Sequence, residues 1–573
     1  MNIDSHFHHD GMTLKASDIA CLLESITIPG LTVSTDIVDQ LVETIEKRSA
    51  ILDYKRGKGI LWVVFIGGTG TGKSTLFNAL CGEELSATGV ERPKTRKPVL
   101  SIPEEGNLIT DGLPFLNQDS IEIHPLKGVV GKVEHVAKVR DHLALIDSPD
   151  VDSLEVANRQ LAEDLYLLSD AVVFVTSQEK YADDTPSQFL FRIREEGKPC
   201  FFLFNKADKE IDKEEVLSFY RGQGIIVDEE RFFFIPYIPS PSFESISANP
   251  AVAHFTSLFF QVLGDETSTK VIRTEETRSV GILKATVDRL IEIIRNEMRA
   301  GKEWLDKLDS LFVETAEEMI EKLEADMREE NQEYLKREIR RVFRKYDILA
   351  KPRRYLSQLL RTPLLFVGIG RSESLQSRQR DFRKIRKRVD SNPFISGVHR
   401  INRLVLERLS PDDESAPLYK KIRGGEIALS EEEITIRILK EQEELASWLE
   451  ETFHKLTENI SAGKKFGIYS TSLLWGVMIL FFEIVVLGGG ITLLEAVLDT
   501  FIAPFVTKGS AELFAYHEIQ KVAHEMNRRY REGLLSMVSE QKERYRSCIS
   551  DLTTPESTVE NLEMLSQRLG ASR

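Results

Sequence analysis

Between residues 59 and 264 short apolar runs alternate with stretches of helical periodicity. The runs, at 60–66, 97–102, 133–139, 143–147, 171–176, 200–204 and 232–237, are rich in β-branched and aromatic residues. Strands of that kind separated by helices predict an α/β fold, a mainly parallel sheet covered on both faces. Ahead of this region Ile37, Leu41, Val42, Ile45, Ile51 and Leu52 recur at helical spacing, so residues 1–56 read as a helical segment. Beyond residue 267 the strand pattern stops, and charged segments with apolar residues at helical spacing cover 275–346, 430–460 and 511–549. Helices of roughly 30–40 residues exceed ordinary globular length and predict an elongated α-helical bundle or stalk. Pro352, Pro363, Gly368 and Gly370 interrupt it once, and Pro411, Pro417, Gly424 and Gly425 again.

One stretch departs from the amphipathic pattern. Residues 466–494 carry a single charge, Glu483, and low charge continues to about 507 past the triplet Gly488, Gly489 and Gly490. A helix over 466–487 would be roughly 33 Å long, against about 30 Å of bilayer hydrocarbon. Residues 491–506 are short for a second crossing. Three readings stay open: a hydrophobic hairpin that dips into a membrane, a buried hairpin in a soluble bundle, and a single crossing. The first keeps Lys464, Lys465 and Lys508 on one side, in agreement with the positive-inside tendency.

The chain has 573 residues, 42% hydrophobic and 29% charged, the composition of a folded protein. Its formal net charge is −16, yet residues 336–388 hold eighteen Lys and Arg against four acids. A basic arm on an acidic protein suits a polyanion, either an anionic membrane or RNA, unless acidic neighbours in the fold pair with it. Cys21, Cys81, Cys200 and Cys548 are scattered, with no Cys-x-x-Cys pair, and no secretory signal is visible. That points to reduced thiols in the cytoplasm and away from a zinc site.

The candidate chemistry lies at the ends of the apolar runs. Directly after 60–66 come Gly67, Gly68, Thr69, Gly70, Thr71, Gly72, Lys73, Ser74 and Thr75. Glycines let a backbone close around an anion with its amides inward, and a helix starting near Lys73 adds its positive end. Lys73 would reach the β- and γ-phosphates of a nucleotide, and the Ser74 hydroxyl would ligand Mg²⁺. Asp147 closes the run 143–147, where a carboxylate can hold the Mg²⁺ shell through water. Thr95, between the loop and that strand, is the candidate hydroxyl that closes on Mg²⁺ and γ-phosphate, with Thr88 as its substitute.

After 200–204 come Asn205, Lys206, Ala207 and Asp208. Asp208 offers two acceptors to the N1–H and 2-amino group of guanine, a donor pair that adenine lacks. Asn205 either bonds the major-groove edge of the base or ties this loop to the phosphate loop. The Lys206 stem can cover the base or ribose. The two elements together predict GTP binding.

These motifs resemble the translation-factor-related class of P-loop GTPases, which includes the Era-like and dynamin-like families. The resemblance covers about residues 60–264, with 67–74 as the first G motif, Thr95 as the second, 147–150 as the third and 205–208 as the fourth. It implies a Ras-like G domain with GTP and Mg²⁺ at the carboxyl ends of the strands. A Ser-Ala fifth motif is not evident, Ser240 being the nearest candidate. The third motif of the class ends in glycine, and Asp150 stands in its place. Its amide can still contact the γ-phosphate, but its carboxylate is repelled unless it turns away or meets a cation. Val151 follows where Ras-like enzymes place a water-positioning Gln, and Thr69-Gly70 stands where dynamins carry Gln-Ser. Hydrolysis is therefore expected to be slow until another chain, a backbone group or a cation completes the site.

The expected organisation is a helical segment at 1–56, a G domain at 57–266 and a stalk at 267–465 with its basic segment at 336–388. A hydrophobic hairpin at 466–507 and returning helices at 508–573 complete it. This layout resembles bacterial dynamin-like or mitofusin-like proteins. The resemblance implies a GTPase that self-associates through its G domain and works at an anionic membrane. The alternative is a soluble Era-like regulatory GTPase binding RNA or ribosomes through the basic segment. Against that alternative, no Gly-x-x-Gly loop sits in a helix–strand nucleic-acid module.

Overall fold

The computed structural model describes residues 15–88, 97–103, 121–126, 142–153, 155–208, 211–225, 227–238, 242–264, 267–329, 392–459 and 510–571. Thr95, the strand expected at 133–139, Ser240, the basic segment 336–388 and the apolar segment 466–507 lie outside the described residues. Among the described residues no helix is long and apolar enough to cross a membrane. Two compact units are present: residues up to 26, 36–295 and 554–573 form the first, and 27–35 with 296–553 the second.

The first unit is built on a seven-stranded sheet: β1 Leu61–Gly67, β2 Val99–Ile102, β3 Glu122–Pro125, β4 Leu143–Asp147, β5 Ala171–Ser177, β6 Cys200–Ala207 and β7 Phe232–Pro236. Their order across the sheet is β3-β2-β4-β1-β5-β6-β7, and every pair is parallel except β2 with β4. Strand β3 was not expected from the sequence; only four residues long, it lies at the sheet edge and is only partly buried.

The apolar runs are continuous because the central strands bury both faces. Trp62, Val64 and Ile66 of β1 join Val172, Phe174, Phe202 and Phe204 on one face. That face packs against helices Thr35–Lys55, Val156–Leu168, Asp184–Glu196 and Lys213–Gly222, through residues such as Ile51, Leu165, Ile193 and Leu217. Leu61, Val63 and Phe65 turn to the other face, against Leu76, Phe77 and Leu80 of helix Lys73–Cys81 and Phe255 and Phe259 of helix Pro250–Gly264. Truncating one of the fully buried phenylalanines to Ala would cost about 3–5 kcal/mol. Ile37, expected on the buried face of the N-terminal helix, is 41% exposed, and Val38 is buried in its place.

Register decides where the chemistry lies. Phe65 is level with Asp147, Gly67 with Val175, and Ser177 with Asn205. The carboxyl ends of β1, β4, β5 and β6 therefore meet on one edge of the sheet. The chain leaves β1 for a helix on one face and β4 for a helix on the other, so a crevice opens between them.

The second unit is helical, with helices Asn392–Arg408, Pro417–Arg423, Glu431–Asn459 and Ser510–Leu552 and the later part of Thr267–Glu329. Trp304, Leu308, Phe312, Ile401, Val405 and Tyr545 fill its core. Two of its large buried side chains find polar partners: Trp304 Nε1 donates to the Leu409 carbonyl at 2.6 Å, and Tyr545 OH donates to Asn402 Oδ1 at 2.9 Å. Gln541 donates to the Ile427 carbonyl and accepts from the Leu429 amide, which fixes the turn into the helix at Glu431.

Candidate nucleotide-binding site

The loop after β1 is shaped by contacts that only glycine permits. A Cβ on Gly67 would lie 2.0 Å from the Val175 carbonyl oxygen, so β1 and β5 can approach closely there only without one. Gly72 has φ +92°, and a Cβ on it would lie 2.3 Å from Asn205 Nδ2. The buried Thr71 hydroxyl donates to the Gly68 carbonyl at 2.9 Å and closes the loop on itself. Helix Lys73–Cys81 starts at once, with Gly72 as its N-cap and no side chain capping it. Its first amides are thus left facing the loop, an arrangement suited to an anion.

Lys73 is buried at the base of the loop. Its Nζ donates to the Gly68 carbonyl at 3.3 Å and forms an ion pair with Asp150. The carboxylate in the glycine's position therefore meets a cation, one of the two outcomes its charge requires. Asp147 is fully buried beside this pair. Its Oδ2 accepts from the Ser86 hydroxyl at 2.6 Å, while its Oδ1 is buried with no hydrogen-bond partner. Burial raises the Asp147 pKa, against the hydrogen bonds of Ser86 and Ser74 and the charge of Lys73. The Asp147 carboxylate, with its Oδ1 left over, and the Ser74 hydroxyl bonded to it make an all-oxygen donor set, and it fits a Mg²⁺ shell. Thr88, the substitute for Thr95, is exposed.

Across the crevice, Asn205 Nδ2 donates to the Thr71 carbonyl at 2.8 Å, and Lys206 Nζ donates to the Gly70 carbonyl at 2.6 Å. Of the two roles open to Asn205, the structure shows the tie between loops. Lys206 has φ +57°, the only positive φ outside glycine among the described residues. Backbone strain of this sort gathers where the surroundings over-determine a functional loop. Asp208 follows the end of β6, its amide donating to Gln178 Oε1 at 3.2 Å.

Three supporting groups escaped the sequence reading. Asp152 accepts from the Thr69 amide and the Thr69 hydroxyl, each at 2.7 Å, and pairs with Lys180 at 3.1 Å. Partial burial would raise its pKa, but the Thr69 bonds and Lys180 prevail and lower it. Gln178 holds the loop of Asp208, as above. Asn78 bonds the Leu85 and Ser86 amides and the Ser86 carbonyl, which delivers Ser86 to Asp147. A signal for Asp152 existed: Asp150, Val151 and Asp152 alternate polar and apolar, and the buried Val151 between them leaves both carboxylates toward the loop side.

Comparison with known proteins agrees with this geometry. Residues 62–206 match the family model described as 50S ribosome-binding GTPase. GTPase Der of Leptospira interrogans is 30% identical over 176 residues, 29% of each chain. GTPase Der of Clostridium acetobutylicum is 23% identical over 158 residues, 28% of this chain and 30% of its own. An uncharacterised protein from the xynA 3′ region of Caldicellulosiruptor sp. is 27% identical over 202 residues, 31% of this chain and 48% of its own. The chain thus spans less than half the length of these curated relatives. Among solved structures, a chain of an oligomerised bacterial dynamin pair, described as sensing and tethering membranes, aligns over 98% of this chain and 93% of its own. Its identity is 12% and its TM-score 0.34, too slight a likeness to argue from. The matched segment holds the phosphate loop, Asp147, Asp150, Asn205 and Lys206, and over residues 62–206 the chain is similar to the P-loop GTPases.

Proposed function

We propose that this protein binds GTP with Mg²⁺, hydrolyses it slowly by itself, and uses the cycle to associate with an anionic membrane. The observation that carries the nucleotide reading is the pair of bonds from Asn205 and Lys206 to the carbonyls of Thr71 and Gly70. They make the phosphate loop and the loop of Asp208 one piece, with the spacing of triphosphate and base set in advance.

Each residue then has a task. The amides of the loop and the start of helix Lys73–Cys81 bind phosphate oxygens, and Lys73 neutralises them. Asp208 selects guanine by accepting from its N1–H and 2-amino group. Ser74 and Asp147 would hold Mg²⁺, which when bound supplies positive charge against the oxygens of the phosphates. Val151 is buried, and its amide donates to the Gly67 carbonyl at 3.4 Å, so this position offers no side chain to orient water. That supports a basal rate that rises when another chain completes the site, through self-association of G domains or a partner.

The membrane reading is supported by residues 466–507 and by the basic segment 336–388, at about 1 kcal/mol per suitably placed cation. A second reading, association with ribosomal RNA through 336–388, is favoured by the description of the family that residues 62–206 match.

Titration of the full chain with fluorescent GDP and GTP analogues, with ATP as competitor, tests the nucleotide reading. Equal competition by ATP and GTP would sink it. Flotation with anionic liposomes, for the full chain and for a deletion of 466–506, tests the membrane reading. Flotation that survives the deletion, or a protein that stays at the bottom and co-sediments with ribosomes, overturns it.

A further inference from the structure

The ion pair between Lys73 and Asp150 places a carboxylate on the ammonium that a γ-phosphate needs. We propose that Asp150 is an internal competitor of the γ-phosphate, which sets the preference of the site between GDP and GTP. The inference rests on the nucleotide reading above and deepens it.

The argument begins with what holds the segment around Asp150. Val151 N donates to the Gly67 carbonyl at 3.4 Å, and Asp152 grips Thr69 through two bonds at 2.7 Å. Ser148 is fastened too, its hydroxyl donating to the Phe65 carbonyl at 2.6 Å. The backbone on both sides of Asp150 is thus stitched to β1 and the phosphate loop. Lys73 is 5% exposed by its side chain and Asp150 23%, so the pair is poorly screened by solvent.

Lys73 lies at the base of the loop, and its ammonium forms its direct ion pair with Asp150, while the buried Asp147 carboxylate also feels its charge. A diphosphate takes its hydrogen bonds from the loop amides and the helix start, and it can share Lys73 with Asp150. A γ-phosphate brings a further negative group against the same ammonium. Two anions then compete for one cation, and the carboxylate must leave. Glycine, the usual residue there, has no side chain to displace. The substitution therefore penalises GTP selectively and makes displacement of Asp150 a step that only the triphosphate forces.

The test uses the full chain and its Asp150→Asn and Asp150→Gly variants, with GDP and a non-hydrolysable GTP analogue titrated by calorimetry in excess Mg²⁺. Asn keeps the shape and removes the charge, and Gly removes the side chain. Retained GDP binding shows that a variant is folded. The expected result is a rise of about tenfold or more in the GTP-to-GDP affinity ratio for both variants, carried by the triphosphate, with GDP affinity changed by less than about twofold. A ratio that stays within about twofold of wild type, or GDP and GTP affinities that move together, overturns the inference and leaves the nucleotide reading intact. Wild-type protein that binds neither nucleotide overturns both.

Discussion

Asn205 Nδ2 donates to the Thr71 carbonyl at 2.8 Å, across 134 residues of chain. The loop that would read the base and the loop that would hold the phosphates are fixed to each other by that bond. Gly72 makes it possible, because a Cβ there would lie 2.3 Å from the same Nδ2.

Both ends of this contact give one prediction. Asn205→Ala leaves the buried Thr71 carbonyl without its donor, at a cost of about 1–3 kcal/mol. Gly72→Ala keeps the donor but pushes it away and strains a backbone at φ +92°. Either variant should weaken GDP and GTP alike, roughly tenfold, because the tie concerns the alignment of the loops and not the γ-phosphate. Calorimetric titration with both nucleotides checks this. Selective loss of one nucleotide would show that Asn205 acts on the ligand and not on the loop.

The base-reading role proposed for Asp208 predicts a change of ligand. Asp208→Asn exchanges one carboxylate acceptor for an amide donor. Guanine then loses a bond and meets a donor facing its 2-amino group, whereas xanthine presents a carbonyl at that position. GTP affinity should fall by about a hundredfold or more, and affinity for xanthosine triphosphate should rise above it. Competition between the two triphosphates for a fluorescent analogue measures the exchange. Unchanged preference for GTP would remove Asp208 from the base site.

How much of this was legible beforehand depends on whether the signal was local. The strands β1, β4, β5, β6 and β7 are continuous apolar runs because both their faces are buried, so composition alone located them. Glycines 67, 70 and 72 were legible because each glycine in that pattern answers to a backbone need, and two of the three have positive φ. Strand β3 was missed because four residues at an edge, half exposed, carry too little apolar content. The grip of Asp152 on Thr69, and of Gln178 on the Asp208 amide, joins positions 83 and 30 residues apart, and neither residue type announces such a partner. Asp150 was recognised as out of place, but its pairing with Lys73 needed the fold.

Glu275 gives a prediction in pH. Its side chain is buried at the start of helix Thr267–Glu329, paired with Arg278 and close to Asp170 and Lys198. Burial lifts its pKa to about 7, Asp170 adds to the rise, and Arg278 and Lys198 oppose it. A carboxyl with a raised folded pKa gives stability that is complete below its unfolded value of 4.5 and is lost as pH rises through about 7. Glu275→Gln keeps the neutral shape at every pH. Melting temperatures of variant and wild type should therefore coincide near pH 4.5, and the variant should gain on the wild type progressively up to about pH 8. A gap that is constant with pH, or that closes as pH rises, would count against the assignment.

In the helical unit one carboxylate gathers a run of backbone donors. Glu297, 1% exposed, accepts from the amides of Gly30 at 3.0 Å, Leu31 at 2.9 Å, Thr32 at 2.5 Å and Val33 at 3.2 Å, and from the Thr32 hydroxyl at 2.5 Å. Gly30 has φ +78°, which turns successive amides toward one point in the manner of an anion nest. The full charge is what makes the contact strong, since hydrogen bonds to ionised groups are worth about 1.5–3 kcal/mol each. Glu297→Gln is not conservative here, because its amide would aim a donor at donors. Glu297→Ala leaves the amides unpaired, and both variants should loosen this unit by about 3 kcal/mol or more. Hydrogen exchange followed by mass spectrometry reads the effect directly. Peptides containing residues 30–33 should lose protection by about a hundredfold, while peptides of the phosphate loop keep theirs. Unchanged protection at 30–33 would mean that neighbouring packing, and not the Glu297 charge, holds the segment, and that the five bonds add little to its stability.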